Sequence, residues 1–336
     1  MKDKRVVFMG TPEFSVPVLE MLIENTNVVM VVTQPDSYVG RKHELKFSPV
    51  KEVALKHNIP VFQPQKIRND YENVLECKPD IIITCAYGQI IPSILLDTPK
   101  YHAVNVHASL LPKLRGGSPL HRAIMNGYDK TGITIMYMAP GMDDGDIITQ
   151  SEIVIKDTDN VSDIHDKLSV LGRNLLLETL PSIFNGTNER IKQDEREVTF
   201  AYNIKREEEK LDFNKTVKEV YNQIRGMYPF PVSYAVLDDQ IIKVCKSRMG
   251  NSIPKRPGEI INIYKDGIGV SCSDGEIIIT KLKPSGKKEM LVSDYLNGKN
   301  KEDLLGKIFE WKIWLVLSNW MKLYFLYSII YMEVGI

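Results

Sequence analysis

Val104-Asn105-Val106-His107-Ala108-Ser109-Leu110-Leu111-Pro112 reads as the end of a short strand running into a turn of small residues. Residues 102–106 alternate apolar and polar, and side chains on a strand repeat every second residue, so Asn105 and His107 are expected on one side. On a parallel strand they would project from the carboxyl end, where open α/β sheets bind ligands. An amide donor beside an imidazole can hold a developing oxyanion and move a proton in the same reaction. The spacing alone equally suits a buried pair that satisfies backbone groups, so the surrounding chain has to decide.

Outward from this stretch, apolar runs at 5–9, 28–33, 80–85, 102–106, 133–138 and 147–155 predict strands. Between them, Ser48-Pro49 and Ser118-Pro119 look like helix N-caps followed by proline, and Gly127 and Gly186 fall where helices should end. Ile164, Leu168, Leu171, Leu175 and Leu176 recur at helical spacing and predict a helix over 162–185. Strands alternating with helices imply an α/β fold with a mostly parallel, doubly wound sheet, expected over residues 1–189.

A chain of 336 residues has room for two domains, and its 43% hydrophobic and 26% charged content is that of an ordinary globular protein. The net charge is zero, so only a local patch could draw the molecule to nucleic acid. Cys77, Cys85, Cys245 and Cys272 have no CxxC spacing and read as reduced structural thiols, consistent with a cytoplasmic protein. The four residues before the first strand are too few for a signal peptide. The first turn, Gly10-Thr11-Pro12, lacks the glycines of a dinucleotide fingerprint, which argues against a dehydrogenase; it suits a plain turn as well as a ligand loop. Residues 34–48 read as an irregular, modestly basic loop of functional length. Asp143, Asp144 and Asp146 follow the strand at 133–138, but no EF-hand pattern and no His or Cys partner accompanies them, so no metal is expected.

After Asn188 the composition changes. Residues 190–210 are densely charged and predict a solvated linker or exposed helix. A helix over 216–227 must stop at Pro229-Phe230-Pro231. Short strands at 232–236, 241–245, 258–263, 267–272 and 276–282 then suggest a small β-barrel, within a second domain at 211–310. Between residues 240 and 290, ten Lys and Arg face five Asp and Glu, a local excess suited to phosphates. The apolar tail 311–336 holds all three tryptophans. Trp311 to Tyr331 is long enough to span a bilayer, for which about 20 apolar residues suffice. Yet Lys312, Asn319 and Lys322 form a polar stripe suited to an interfacial helix. A dispensable extension is the favoured reading.

Several motifs together carry a resemblance: F-x-G-T-P-x-F at 8–14, T-Q-P-D at 33–36, N-x-H-A-S-L-L-P at 105–112, R-G-G-S-P at 115–119, T-G-I-T-I-M at 131–136 and G-M-D-D-G-D at 141–146. Pro229-Phe230-Pro231 and K-P-S-G-K-K at 283–288 extend it. Over about residues 4–310 the chain resembles the methionyl-tRNA formyltransferase family, within the superfamily that uses 10-formyltetrahydrofolate. The resemblance implies a Rossmann-like sheet domain followed by an OB-fold-like barrel, 10-formyltetrahydrofolate as co-substrate, and initiator methionyl-tRNA as acceptor. It makes Asn105, His107 and Asp143 catalytic. It implies that Ser109, Leu110, Leu111 and Pro112 contact the folate, with Cys85, Ala86, Tyr87, Gly88 and Ile91 lining the pterin pocket. Gly10, Thr11, Pro12 and Arg41 fall on the substrate side. Lys243, Lys246, Arg248, Lys281, Lys283, Lys287 and Lys288 are the expected tRNA contacts. A cytoplasmic monomer without DNA or stable membrane association is expected. Ser37-Tyr38 and Lys42 depart from the family's loop pattern, so tRNA recognition there is expected to differ. A formyltransferase or hydrolase acting on a small amine, such as a nucleotide sugar, is the alternative; it needs the same three residues but no basic second domain. A tRNA-binding protein without activity is opposed by the intact Asn105, His107 and Asp143.

Overall fold

A computed structural model describes residues 1–39 and 44–310. The expectations placed on Arg41, Lys42 and the tail 311–336 lie outside these residues. In chain order the first part contains β1 (Arg5–Gly10), α1 (Val16–Asn25), β2 (Asn27–Val32), β3 (Ser37–Val39), β4 (Glu44–Lys46), α2 (Pro49–Lys56) and β5 (Val61–Phe62). It continues with α3 (Glu72–Glu76), β6 (Ile81–Cys85), α4 (Ser93–Asp97), β7 (Ala103–His107), α5 (Pro119–Met125), β8 (Lys130–Tyr137), β9 (Ile147–Val154) and α6 (Val161–Asn185).

Seven of these strands form one sheet in the order β5-β2-β1-β6-β7-β8-β9. Pairing is parallel from β5 to β7 and antiparallel from β7 to β9, so the sheet is mostly parallel, as the alternation of strand and helix implied. Alternate residues of β1 and β6 feed different cores. Phe8, Ile83 and Cys85 pack with α1, α2 and α6, whereas Met9 and Ile82 pack with α3 and α4. From β1 the chain goes one way to β2 and later the other way to β6. The carboxyl ends of β1 and β6 therefore form a topological switch point, the place where open α/β sheets take ligands.

The stretch 34–48 is not wholly irregular: β3 and β4 pair antiparallel, with Tyr38 opposite Leu45. The N-caps also divide. Ser48 Oγ accepts from Lys51 N and caps α2, but the Ser118 side chain caps nothing; its hydroxyl turns to Asn203 Oδ1 at 3.3 Å. The charged segment after Asn188 is neither a long helix nor merely solvated. It forms single turns at Glu195–Glu197 and Arg206–Glu209, and Ala201 between them is fully buried.

The second part comprises α7 (Val217–Met227), β10 (Tyr234–Leu237), β11 (Gln240–Gly250), β12 (Ile260–Ile263), β13 (Ile268–Ser271), β14 (Glu276–Pro284), β15 (Met290–Leu291) and α8 (Val292–Leu296). Its sheet is antiparallel throughout, in the order β10-β11-β14-β13-β12, with β15 on β14. Ile308 bridges Glu259 beside β12, and Glu310 bridges Val236 of β10. Residues 308–310 thereby join the two edges of the curled sheet, which removes exposed edge groups. A Thr216–Glu219 capping box starts α7, which packs on α5. A Cβ on Gly226 would lie 2.6 Å from Met125 Cγ, so only glycine permits this approach. Buried Arg225 ties the two parts together by donating to the carbonyls of Lys156 and Asp159.

Candidate active site

Asn105 and His107 project from the same face of β7, as their spacing required, and both meet Asp143. Asn105 Oδ1 accepts a hydrogen bond from Thr84 Oγ1 on neighbouring β6 at 2.8 Å. That bond fixes the amide orientation and turns Nδ2, the donor, toward Asp143 Oδ1 at 3.4 Å. His107 Nε2 lies 3.1 Å from Leu114 O. A carbonyl only accepts, so Nε2 carries the hydrogen and Nδ1 is the nitrogen free to take a proton. Nδ1 faces Asp143 Oδ2 at 3.6 Å. The imidazole is 6% exposed and the carboxylate 21%, so the site opens on the Asp143 side.

Asp143 sits on a tight turn with φ 49°, a left-handed conformation that Asp tolerates better than most residues. Its Oδ2 also accepts from Gly116 N at 2.9 Å. Gln193 Nε2 donates to the carbonyls of Asp143 and Gly145, both at 2.8 Å. Arg115 Nε, donating to Gln193 Oε1 at 2.9 Å, fixes which way that amide points, and Arg115 in turn pairs with Glu195. The supposed linker therefore holds the carboxylate-bearing turn. Thr199 joins it: its Oγ1 accepts from Leu114 N at 2.9 Å and ties the segment to the 114–118 loop.

The residues expected to hold folate divide in two groups. Ser109 to Pro112 follow β7 directly, with a cis bond between Leu111 and Pro112. Ser109 Oγ closes the turn onto Lys113 O, Leu110 packs against Gly132, and Leu111 clusters with Met136 and Ile147. Gly10, Thr11, Pro12 and the segment 85–91 lie at the switch point. Thr11 Oγ1 and Gln34 Nε2 both donate to Tyr87 O, and Ala86 and Gly88 are exposed with positive φ. Tyr87 and Ile91 are buried on the Asn105 face of the sheet. Burial pushes the Tyr87 phenol up to about 12, and its hydroxyl has no partner among the described residues. Cys85 is not brought to this wall. One residue beyond Thr84, its side chain points to the opposite face and packs with the α1 and α6 core, where burial pushes the thiol up to about 12. Among the described residues, no group of three or more His, Cys, Asp or Glu is placed to hold a metal ion.

The lysines of the second part lie far from this site in chain order and on strands of the other sheet. Lys243 stands opposite Lys283 and Lys246 opposite Lys281 across β11 and β14. Lys243 Nζ donates to Pro231 O, Lys281 pairs with Glu289, and Arg248 pairs with Asp266 at 3.3 Å. Lys283, Lys287 and Lys288 are exposed, without a carboxylate partner among the described residues.

The formyl transferase family model matches residues 4–180, and that of the formyl transferase C-terminal domain matches 203–300. Methionyl-tRNA formyltransferase of Geobacillus sp. (strain WCH70) is 52% identical over 88% of this chain and 94% of its own length. That of Bacillus subtilis (strain 168) is 51% identical over 90% and 98%. The chain belongs to the methionyl-tRNA formyltransferase family. Two solved structures share its fold. A sugar 3N-formyl transferase, WlaRD, with dTDP and 5-N-formyl-THF has TM-score 0.63 at 20% identity, over 86% of this chain and all of that one. The N-formyltransferase from Helicobacter canadensis, with folinic acid and dTDP-3-aminofucose, has TM-score 0.64 at 23% identity, over 83% and 99%.

Thr84, Leu114, Gly116, Gln193 and Thr199 are site-supporting residues to which the sequence assigned no role. A period-2 reading of 80–85 against 102–107 could have found Thr84. The others act through backbone groups or across long chain separations.

Proposed function

We propose that this chain transfers the formyl group of 10-formyltetrahydrofolate to the α-amino group of methionine on initiator tRNA. The observation that carries the reading is the meeting of Asn105, His107 and Asp143 at the carboxyl end of β7, in a chain half identical to methionyl-tRNA formyltransferases over nine-tenths of its length. We take residues 1–189 as the catalytic domain, 190–210 as the linker and 211–310 as the RNA-binding domain of a cytoplasmic protein.

The folate's place fits the residues present. Tyr87 and Ile91 offer an apolar wall, and the Tyr87 hydroxyl supplies a buried donor without a partner among the described residues. When bound there, 10-formyltetrahydrofolate supplies an activated formyl group. Asn105 Nδ2 donates to the oxygen on which negative charge develops; removal of one such donor typically costs about 3 kcal/mol. Asp143, the more exposed member, receives the incoming amine and positions it. His107 Nδ1 accepts the proton the amine must lose and passes it to the nitrogen that the formyl group leaves, with Asp143 stabilising the imidazolium in between. Because Nε2–H is committed to Leu114 O, His107 works as the proton relay rather than as a second oxyanion donor.

Lysines placed opposite lysines repel across a strand pair. Their register on β11 and β14 makes sense beside a polyanion. That surface, with the identity of the relatives, favours an RNA acceptor over a small amine. The test is incubation with 10-formyltetrahydrofolate and methionyl initiator tRNA, followed by analysis of the product amine. Formylmethionyl-tRNA is the expected product. Formylation of an amino-sugar nucleotide with the tRNA left untouched would establish the alternative.

A further inference from the structure

The aromatic pair Phe200 and Tyr202 is used by nothing described above. Its segment runs in register with the 114–118 loop. Arg115 N donates to Thr199 O at 2.9 Å, Ala201 N to Arg115 O at 2.7 Å, and Ser118 N to Ala201 O at 2.9 Å. This extended pairing buries Ala201 and places Phe200 and Tyr202 together on the outer side. Their rings stack, with centroids 5.3 Å apart and planes 9° from parallel, yet the residues are 47% and 58% exposed. Gly116, which holds Asp143, lies against the same segment. A Cβ there would be 3.0 Å from Ala201 O and 3.4 Å from the Sδ of exposed Met142. Single exposed apolar side chains are ordinary. Two stacked rings left open beside a catalytic carboxylate are a surface prepared for a third flat ring.

The exposed path continues toward the lysines. Arg122 on α5 donates to Tyr202 O, and His121 on the same helix contacts Phe230 O. Phe230 is 76% exposed, and next to it Lys243 reaches Pro231 O. Arg122 is itself paired with Glu208, so the positive charge of this path lies at Lys243 and the lysines beyond it. Exposed rings leading to cations suit an unpaired nucleic-acid strand, rings for its bases and cations for its backbone.

We propose that Phe200 and Tyr202 stack the 3′-terminal base of the aminoacyl-RNA acceptor and so set its ester over Asp143. The proposal rests on the reading above that the acceptor is an aminoacyl-tRNA. The rings are separated from the carboxylate by Gly116 and Ala201. A ribose and ester can bridge that separation, whereas the amine itself must sit at Asp143.

The test uses the full chain and an uncharged initiator acceptor-stem RNA carrying 2-aminopurine at its terminal position, whose fluorescence falls on stacking. Wild type is expected to quench it, and Tyr202→Phe to quench it equally. The double variant Phe200→Leu/Tyr202→Leu keeps apolar bulk without rings. It is expected to bind the RNA without quenching and to raise KM for methionyl-tRNA about tenfold, while KM for the folate stays unchanged. A double variant that still quenches with unaltered KM overturns the proposal. So does retained quenching with altered preference among aminoacyl groups, which would assign the rings to the amino-acid side chain. If wild type binds RNA but leaves the probe bright, stacking alone is wrong; if it binds no RNA, the acceptor reading falls with it.

Discussion

At the carboxyl end of β7, Asn105, His107 and Asp143 are held by partners within the protein, with His107 Nδ1 left open to a proton; on the outer face of β11 and β14, lysine faces lysine. The first region is a fixed arrangement whose orientation is set by neutral donors and backbone groups. The second is a set of cations in which half-buried Lys281 has a carboxylate partner while exposed Lys283, Lys287 and Lys288 have none among the described residues. Preorganised groups act on charge that develops in a transition state, and loosely held cations act on charge already present on a ligand. The contrast assigns chemistry to one sheet and grip to the other.

The largest effects should fall on the first region. Asn105→Ala, His107→Ala and Asp143→Ala are each expected to lower kcat by at least about a hundredfold, with melting temperature little changed. Near-normal kcat in His107→Ala would break the comparison at its catalytic end. Next comes Gln193→Ala, which frees the turn carrying Asp143 without touching a reacting atom. A displacement of about 1 Å can cost roughly a hundredfold, so a loss of tens of fold in kcat is expected, with Gln193→Glu failing to restore it because a carboxylate cannot donate to two carbonyls. Unchanged kcat in both would make Gln193 a packing residue.

In the second region Lys287→Ala/Lys288→Ala should weaken tRNA binding and reduce the slope of log affinity against log salt by about two. Folate KM should not move. An unaltered slope would place the RNA surface elsewhere. The smallest effect is expected from ending the chain at Glu310: activity is retained and solubility improves. Ending it at Lys307 instead removes the 308–310 segment that joins β10 to β12, and should lower the melting temperature.

Much of this was legible in the sequence where a local rule applied. Period-2 alternation put Asn105 and His107 on one face, and alternating strands and helices implied the parallel sheet. The rule failed where burial erased the pattern. β6 is buried on both faces, so no alternation within Ile81-Ile82-Ile83-Thr84-Cys85 marks the side Cys85 takes; only the register against β7 does. Asp143 stood out from Asp144 and Asp146 only through the family resemblance, because three acidic residues in one turn are locally equivalent. Gln193 and Thr199 were invisible, since their partners lie 48 to 85 residues away and are mostly backbone atoms. The charge density of 190–210 read as solvation, whereas Arg115–Glu195 and Arg122–Glu208 pairs fasten that segment to the first part.

The division of labour is tested most directly by single-turnover formylation of methionyl initiator tRNA, with enzyme and 10-formyltetrahydrofolate in excess and low salt. Under those conditions binding is saturated and only chemistry is read. Lys287→Ala/Lys288→Ala is predicted to match the wild-type rate, while His107→Ala remains slower by about a hundredfold or more. Equal rate losses in the two variants would contradict the separation of chemistry from RNA binding.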